Sequence, residues 1–166
     1  MINFISEYRK LSDLPSPKKE NFEISKLLEQ IRSLFKRECE KRKINLQVEM
    51  NDQDLKLCAD MFQIEQVLVN MVTNAMEVLS DQADGIIKLS AQSQSDTTEI
   101  SIEDNGPGIT KDIKDKIFIP FFSTKKKGVG IGLSLSKQII TNHSAVILFS
   151  SDPGVSTKFI IRFSNK

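Results

Sequence analysis

Two asparagines, Asn70 and Asn74, lie one helical turn apart in a stretch whose apolar residues recur at helical spacing. Asparagine is a poor helix former because its amide competes with the backbone, so two of them inside one helix call for an explanation. A neutral amide oxygen suits Mg²⁺, a hard cation that keeps several waters and binds substrate phosphates. A solvated polar face that also includes Gln63, Gln66 and Glu77 is the alternative, and these residues alone leave both interpretations open.

A second candidate begins at Asp104, at the end of a predicted strand, and continues as Asn-Gly-Pro-Gly-Ile109. Gly106 and Gly108 flank a proline, which favours a sharp turn. A carboxylate at a strand end can point into a pocket and accept a hydrogen bond from an exocyclic amine such as adenine N6. Glycines let the backbone approach a flat ring closely. An ordinary turn without a ligand remains the alternative.

A third candidate places Gly128, Gly130 and Gly132 directly before an apolar helix that starts near Leu133. The spacing matches neither a Walker A loop nor a dinucleotide-binding fingerprint. A glycine-rich entry to a helix nevertheless exposes unpaired N–H groups at the positive end of the helix dipole. Such an entry is a natural site for phosphate groups.

The segment between these two motifs carries Phe118, Phe121 and Phe122 and then three lysines at 125–127. The phenylalanines belong either to the core or to the anchor of a lid that closes over a ligand. Residues 118–129 lack periodicity, and we expect a mobile loop there. Of the three lysines, we expect two to be solvated and one to reach a phosphate.

The predicted elements place these motifs in one layered domain. They are a helix to about Arg42 that Ser25 caps, strands 44–50 and 55–58, a helix 61–80 that Asp60 caps, strands 86–91 and 99–103 around a polar turn, a short helix 111–117, a helix 133–142, and strands 145–150 and 157–163. This order predicts an α+β fold, a two-layer α/β sandwich with a mixed, mostly antiparallel sheet of about five strands packed on about three helices.

Composition narrows the function classes. The chain has 166 residues, which predicts one domain, and its 23 basic and 22 acidic residues give a net charge of +1. This balance argues against a dedicated nucleic-acid binder, and no apolar run is long enough to span a membrane. Cys39 and Cys58 lie among apolar neighbours and are predicted to be buried free thiols in a reducing compartment. A single histidine, His143, excludes a histidine-rich metal site.

Taken together and in this order, the motifs resemble the ATP-binding catalytic domain of sensor histidine kinases, within the wider family that includes gyrase B, Hsp90 and MutL. Residues 70–75 resemble its N box, 104–109 its G1 box, 118–122 its F box, 128–133 its G2 box and 154–159 its G3 segment. The match covers about residues 21–163. The stretch from Pro120 to Leu133 looks most like the nitrogen-regulator subtype, with a short lid.

The resemblance implies a Bergerat-type ATP-binding fold, ATP and Mg²⁺ as ligands, and a role for each matched residue. Asn74 binds the Mg²⁺, with Asn70 beside the metal and phosphates, and Asp104 accepts from adenine N6. The remaining implied contacts are Gly106, Gly108 and Ile109 around the adenine, Gly128, Gly130, Gly132 and Leu133 on the phosphates, Lys125 as a charged lid contact, and Thr157 near the adenine.

Three departures from the family pattern stand out. Glu77 occupies a position that is basic in many such kinases, Ser144-Ala145 replaces a common Gly-Gly after His143, and Ser156 replaces a common glycine. His143 also lacks the context of a phosphoacceptor histidine. We name no catalytic base in this chain, although Glu77 could orient water.

The resemblance further implies an excised domain. We expect residues 1–20 to be a linker and the remnant of a dimerisation helix, and residues 21–166 to be the ATP-binding catalytic domain. The implied partners are the histidine-bearing dimerisation domain of the same protein and, indirectly, a response regulator. We expect a monomeric, cytoplasmic domain whose full-length protein can be membrane-anchored. An anti-sigma-type serine kinase, an ATP-gated switch of the same family and a degenerate binding module are the alternatives.

Overall fold

The computed structural model describes residues 13–80, 82–124 and 128–165. The remnant of a dimerisation helix, which we expect at residues 1–11 of the 1–20 segment, therefore lies outside the described residues. The elements are β1 (Glu20–Glu23), α1 (Ile24–Arg42), β2 (Ile44–Met50), β3 (Lys56–Ala59), α2 (Met61–Val78), β4 (Gly85–Gln94), β5 (Thr97–Asp104), α3 (Lys111–Lys114), α4 (Gly132–Asn142), β6 (Val146–Asp152) and β7 (Ser156–Ser164).

One sheet of five strands forms the floor of the molecule, in the order β2-β4-β5-β7-β6. The β2–β4 pair is parallel and the other three pairs are antiparallel. A parallel pair needs a crossover connection, which β3 and α2 supply here. The predicted two-layer sandwich with a mixed, mostly antiparallel sheet is confirmed.

The three long helices cover one face of this sheet and bury a single core with it. The completely buried side chains include Leu27, Leu28 and Ile31 of α1, Ile64, Val67 and Leu68 of α2, Ile139 and Ile140 of α4, and Ile87, Leu89, Ile100 and Ile161 of the strands. The other face carries cross-strand ion pairs, such as Arg162 Nε to Glu99 Oε1 at 2.6 Å. No helix among the described residues is both long and apolar enough to cross a membrane.

The first turn of α2 is fixed by the predicted cap. Asp60 Oδ1 accepts from the Gln63 N–H at 3.1 Å, and Oδ2 accepts from the Lys18 N–H at 2.9 Å. The Asp60 N–H donates to His143 Nε2 at 3.0 Å, so the ring proton lies on Nδ1 and donates to the Ile139 carbonyl at 2.8 Å. His143 therefore joins the end of α4 to the start of α2 through both nitrogens of a buried ring.

The structure corrects two predictions near the start of the domain. Helix α1 begins at Ile24 rather than behind a Ser25 cap, because the Ile24 N–H donates to the Leu55 carbonyl and the Ser25 hydroxyl donates to the Gln53 carbonyl. Cys58 is exposed, whereas Cys39 is buried as predicted. Residues alternate between faces along a strand, and on β3 the side chains of Leu57 and Ala59 take the inner face.

Smaller differences concern element bounds. The strands β4 and β5 run to Gln94 and from Thr97, so the turn between them is shorter than predicted, and the short helix ends at Lys114 rather than at 117. Strand β1, which pairs antiparallel with β3, was not predicted, because its four residues fell within and beside the expected linker.

Candidate functional site

A cavity of about 650 Å³ opens between α2, the C-terminal end of β5, the loop after it and the start of α4. Ten of the twelve predicted site residues line it: Asn70, Asn74, Asp104, Gly108, Ile109, Gly128, Gly130, Gly132, Leu133 and Thr157. Gly106 lies behind the wall, where its N–H holds Asp104. Lys125 lies outside the described residues. Segments around residues 70–74, 104–109, 128–133 and 157, which are separate in the sequence, thus meet at one concave surface. Its size is that of a small-molecule site.

Asp104 is the buried acid of this cavity, with 6% of its surface exposed. The Gly106 N–H donates to Oδ1 at 3.0 Å, and this is the only hydrogen bond that a described residue makes to the carboxylate. Burial raises the pKa of Asp104 to about 6, while the Gly106 hydrogen bond opposes the shift and the charge of Glu103 adds to it. A carboxylate that is costly to bury and has spare acceptor capacity is a candidate binding group.

This raised pKa predicts how stability depends on pH. In the folded protein the pKa of Asp104 is about 6, above its ordinary value of 3.8. The protonated carboxyl therefore contributes fully to the free energy of unfolding below pH 3.8, and this contribution is lost as the pH rises through 6. Asp104→Asn does not titrate and can keep the Gly106 bond. Its free energy of unfolding relative to the parent should therefore rise by about 2 kcal/mol between pH 4 and pH 7. Urea unfolding without nucleotide measures this, with the exposed Asp115→Asn as the charge-loss control. A pH-independent difference would contradict the assignment.

The two asparagines of α2 have different surroundings. Asn70 Nδ2 donates to Ser136 Oγ at 2.9 Å, so its amide bridges α2 and α4. Asn74, half-buried one turn later, lines the cavity together with the exposed Glu77. The polar face of α2 is thus not uniformly solvated. Gln63 is buried and donates to the Pro15 carbonyl at 3.0 Å, whereas Asn70, Asn74 and Glu77 line the cavity.

Gly132 starts α4 at a point where an added side chain would meet the Asn70 amide of α2. A Cβ there would collide with Asn70 Oδ1 and lie 2.9 Å from Asn70 Cγ. Gly132→Ala should therefore displace the Asn70 amide or the first turn of α4 and lower the affinity for a triphosphate about tenfold, which corresponds to a loss of about 1.4 kcal/mol. Isothermal titration with magnesium tripolyphosphate measures the effect. Gln138→Ala, on the exposed face of α4, should leave the affinity unchanged; if both variants bind equally well, this close approach does not matter for phosphate binding.

The loop after β5 is held from both sides. On one side Asn105 Oδ1 accepts from the Ile86 N–H at 2.7 Å. On the other side the Gly154 N–H donates to the Pro107 carbonyl at 2.7 Å. Gly108 has φ +72, and a Cβ there would lie 2.5 Å from the Asp152 carbonyl oxygen, so only glycine fits. The loop is therefore fixed against β4 and the β6–β7 turn.

Sequence reasoning missed Ser151, which joins this loop to β7. Its hydroxyl accepts from the Ile109 N–H at 2.7 Å, donates to the Ser156 carbonyl at 2.9 Å and lies 3.2 Å from Thr157 Oγ1. The side chain is buried although it is polar. No sequence signal pointed to it, because the predicted strand ends at residue 150, whereas β6 runs to Asp152 and turns Ser151 inward.

The aromatic cluster divides between core and cavity. Phe118 packs edge-on against Phe149 and Phe159 with ring centroids 6.0 and 6.4 Å apart. Phe122 lines the cavity. The Phe121 N–H donates to the Gly130 carbonyl at 2.8 Å, which holds the two ends of the intervening segment together. Phe118 therefore belongs to the core and Phe122 borders the cavity, while the role of the cluster as the anchor of a lid stays a prediction.

Comparison with known proteins decides the family. Residues 59–166 match the family described as histidine kinase-, DNA gyrase B- and HSP90-like ATPases. The chain belongs to this family. The matched range contains the whole of α2, both glycine motifs and the cavity, so the site described above is the part of the chain that the family shares.

Among the curated relatives of this ATPase domain are sensor kinases. This chain is 39% identical over 135 residues to the alginate biosynthesis sensor protein KinB of Pseudomonas aeruginosa. The match covers 80% of this chain and 22% of KinB. The chain is 31% identical over 150 residues to the sensory histidine kinase/phosphatase NtrB of Vibrio alginolyticus, covering 84% of this chain and 43% of NtrB. The chain thus spans less than half the length of these relatives.

The fold is also shared with a solved kinase domain. The catalytic domain of histidine kinase ThkA superimposes with a TM-score of 0.81 at 32% identity, covering 89% of this chain and 96% of that domain. A structure of ThkA in complex with the response regulator protein TrrA matches with a TM-score of 0.83 at 28% identity, covering 98% of this chain and 46% of the ThkA chain.

Proposed function

We propose that this ATPase domain binds Mg²⁺-ATP in the cavity and transfers the γ-phosphoryl group to a histidine of a dimerisation domain, as the catalytic part of a two-component sensor histidine kinase. The observation that carries the proposal is one cavity lined by the buried Asp104 carboxylate and by the glycine-rich start of α4. The two lie about two turns apart along α2, because Gly106, which holds the carboxylate, lies beside Val78 and Gly132 lies beside Asn70. One end fits a base with an exocyclic amine, and the other fits phosphate groups.

The adenine end is built on β5 and β7. Asp104 and Thr157 are direct cross-strand partners, so both side chains reach the same point of the cavity wall. We infer that the Asp104 carboxylate accepts from the adenine amine, while Gly106 orients the carboxylate through its N–H. Gly108 and Ile109 complete the wall beside the ring.

The phosphate end is built on the start of α4. Gly128, Gly130, Gly132 and Leu133 line the cavity where the unpaired N–H groups of the helix begin, and these groups favour phosphate oxygens. We further propose that Lys125 contributes a charged contact there. Each of these groups acts by binding and orienting the triphosphate.

The residues present fit a magnesium ion that is held mainly by the nucleotide. No group of three or more histidine, cysteine, aspartate or glutamate side chains suited to a metal occurs in the described part of the chain. Asn74 nevertheless offers an amide oxygen beside the phosphate end, and Mg²⁺ takes its other ligands from phosphates and water. When bound, the ion neutralises charge on the phosphates. Asn70 stands one turn earlier, where it supports the start of α4.

Phosphoryl transfer depends mainly on holding the γ-phosphoryl group and the nucleophile in the right relative position. The bond between the γ-phosphorus and the β–γ bridging oxygen breaks, a bond from phosphorus to a histidine nitrogen forms, and ADP leaves. The domain supplies the fixed γ-phosphoryl group, and the dimerisation domain supplies the nucleophile.

We assign residues 1–20 to the connection with that domain and residues 21–166 to the catalytic domain. We propose that the catalytic domain is monomeric by itself and acts in the cytoplasm. A response regulator is the indirect partner.

Radiolabel transfer from [γ-³²P]ATP tests this function in the full-length protein that carries this domain. We expect label that is lost in acid and retained in alkali, as a phosphohistidine is, and that disappears in Asp104→Asn. Acid-stable label on serine would instead support the anti-sigma-type kinase, and phosphate release without labelled protein would support an ATP-gated switch. Absence of nucleotide binding would leave only a binding module.

A further inference from the structure

We propose that Ser151 is a positioning residue that sets the hydrogen-bond polarity of the adenine end, so that the cavity accepts a purine with an amino group at position 6 and rejects one with a carbonyl group there. The inference rests on the proposed nucleotide site. Ser151 itself does not line the cavity and acts through two residues that do, Ile109 and Thr157.

The contacts of the Ser151 hydroxyl determine which group donates each proton. A serine hydroxyl has one proton to donate and two lone pairs that accept. The Ser156 carbonyl can only accept, so the proton at that 2.9 Å contact comes from Ser151. The Ile109 N–H can only donate, so it occupies one lone pair of Ser151 at 2.7 Å. The remaining contact, 3.2 Å to Thr157 Oγ1, is therefore donated by the threonine hydroxyl.

Thr157 has consequently used its only proton and can present just lone pairs to the cavity. The Asp104 carboxylate, its direct cross-strand partner, also presents only lone pairs when it is ionised. Two neighbouring acceptors fit an amino group, which carries two N–H donors. A carbonyl at the same position would bring lone pairs against lone pairs, and a buried polar group without a partner is costly.

The position of Ser151 makes this arrangement rigid. The residue is buried, and its backbone carbonyl accepts from Lys114 Nζ at 2.8 Å. Ile109, which its hydroxyl holds, belongs to the loop that is also fixed by the contact between Gly154 and Pro107. Neither the threonine hydroxyl nor the loop can turn independently of Ser151.

The test compares ATP with ITP, which differ at position 6 of the purine, by titration calorimetry at pH 8, where Asp104 is ionised. The parent should prefer ATP by about 100-fold, because the carbonyl of ITP would leave buried acceptors without a donor, which is costly. In Ser151→Ala the Thr157 hydroxyl is released and can donate to a carbonyl, so the preference should fall about tenfold. Magnesium tripolyphosphate, which has no base, should bind the parent and the variant equally.

Two further variants keep the result interpretable. Ser150→Ala, at the exposed neighbouring position of β6, should keep the parent preference. Thr157→Val removes the hydroxyl through which Ser151 acts, so it should lower the preference as Ser151→Ala does even if the latter fails to fold. If the parent binds ATP and these variants keep its full preference, or if tripolyphosphate affinity falls in parallel, the role of Ser151 is wrong. If the parent binds no nucleotide, the proposed function fails, and this inference with it.

Discussion

Replacing Asp104 by asparagine is expected to lower the affinity for ATP about 100-fold, the largest effect of any single change in the cavity. The Gly106 N–H needs an acceptor at its 3.0 Å contact, so the new amide must turn its oxygen toward Gly106. Its NH₂ group then faces the cavity and meets the adenine amine, donor against donor. Titration calorimetry of ATP at pH 8 measures the loss.

The control for this variant is a ligand that has no base. Magnesium tripolyphosphate should bind Asp104→Asn as well as it binds the parent, because the carboxylate lies about two turns of α2 away from the start of α4. Equal loss for both ligands would mean that the substitution disturbs the whole site. Unchanged ATP affinity would remove Asp104 from the binding account.

The second large effect concerns the metal. Asn74→Ala removes the amide oxygen that we assign to Mg²⁺, so the apparent affinity of the nucleotide-bound protein for Mg²⁺ should fall at least about tenfold. Nucleotide affinity in the presence of a chelator should stay close to that of the parent, because the adenine contacts are unchanged. Titrating Mg²⁺ into the protein with ADP bound measures this difference.

Two matched variants on the same helix sharpen that test. Gln66→Ala alters an exposed polar residue of α2 that lies outside the cavity and should leave the Mg²⁺ dependence intact. Asn74→Asp keeps an oxygen at the site and should retain Mg²⁺ binding, since carboxylates are good ligands for this ion. If Asn74→Ala responds to Mg²⁺ as the parent does, the ion is held by other groups.

Much of the fold could be predicted because its signals are local. The apolar positions of α2 recur at helical spacing and Asp60 precedes them, and the structure confirms both the helix and its cap. The strand pairs β4–β5 and β6–β7 follow from adjacent apolar segments with short turns between them. By contrast, the parallel pairing of β2 with β4 depends on the order of strands in space, which no local pattern contains.

The candidate site likewise combines residues that a local sequence motif indicates with residues whose role depends on tertiary contacts. Asp104 and the glycines could be named from the sequence because several short motifs, each weak alone, occur in the order and spacing of a known family. Ser151 could not, because its importance comes from the β6–β7 register that places it opposite Thr157 and from a loop more than forty residues away in sequence. The bridge from Asn70 to Ser136 likewise depends on how α2 and α4 pack. The predicted role of Lys125 stays a prediction.

The most direct measurement is a crystal structure of the domain with Mg²⁺ and a non-hydrolysable ATP analogue. The account predicts the purine amine within hydrogen-bond distance of the Asp104 carboxylate, the phosphates against the start of α4 and the metal on the Asn74 amide oxygen. A nucleotide bound elsewhere on the surface, or one whose base lies at the α4 end with its phosphates toward Asp104, would contradict it.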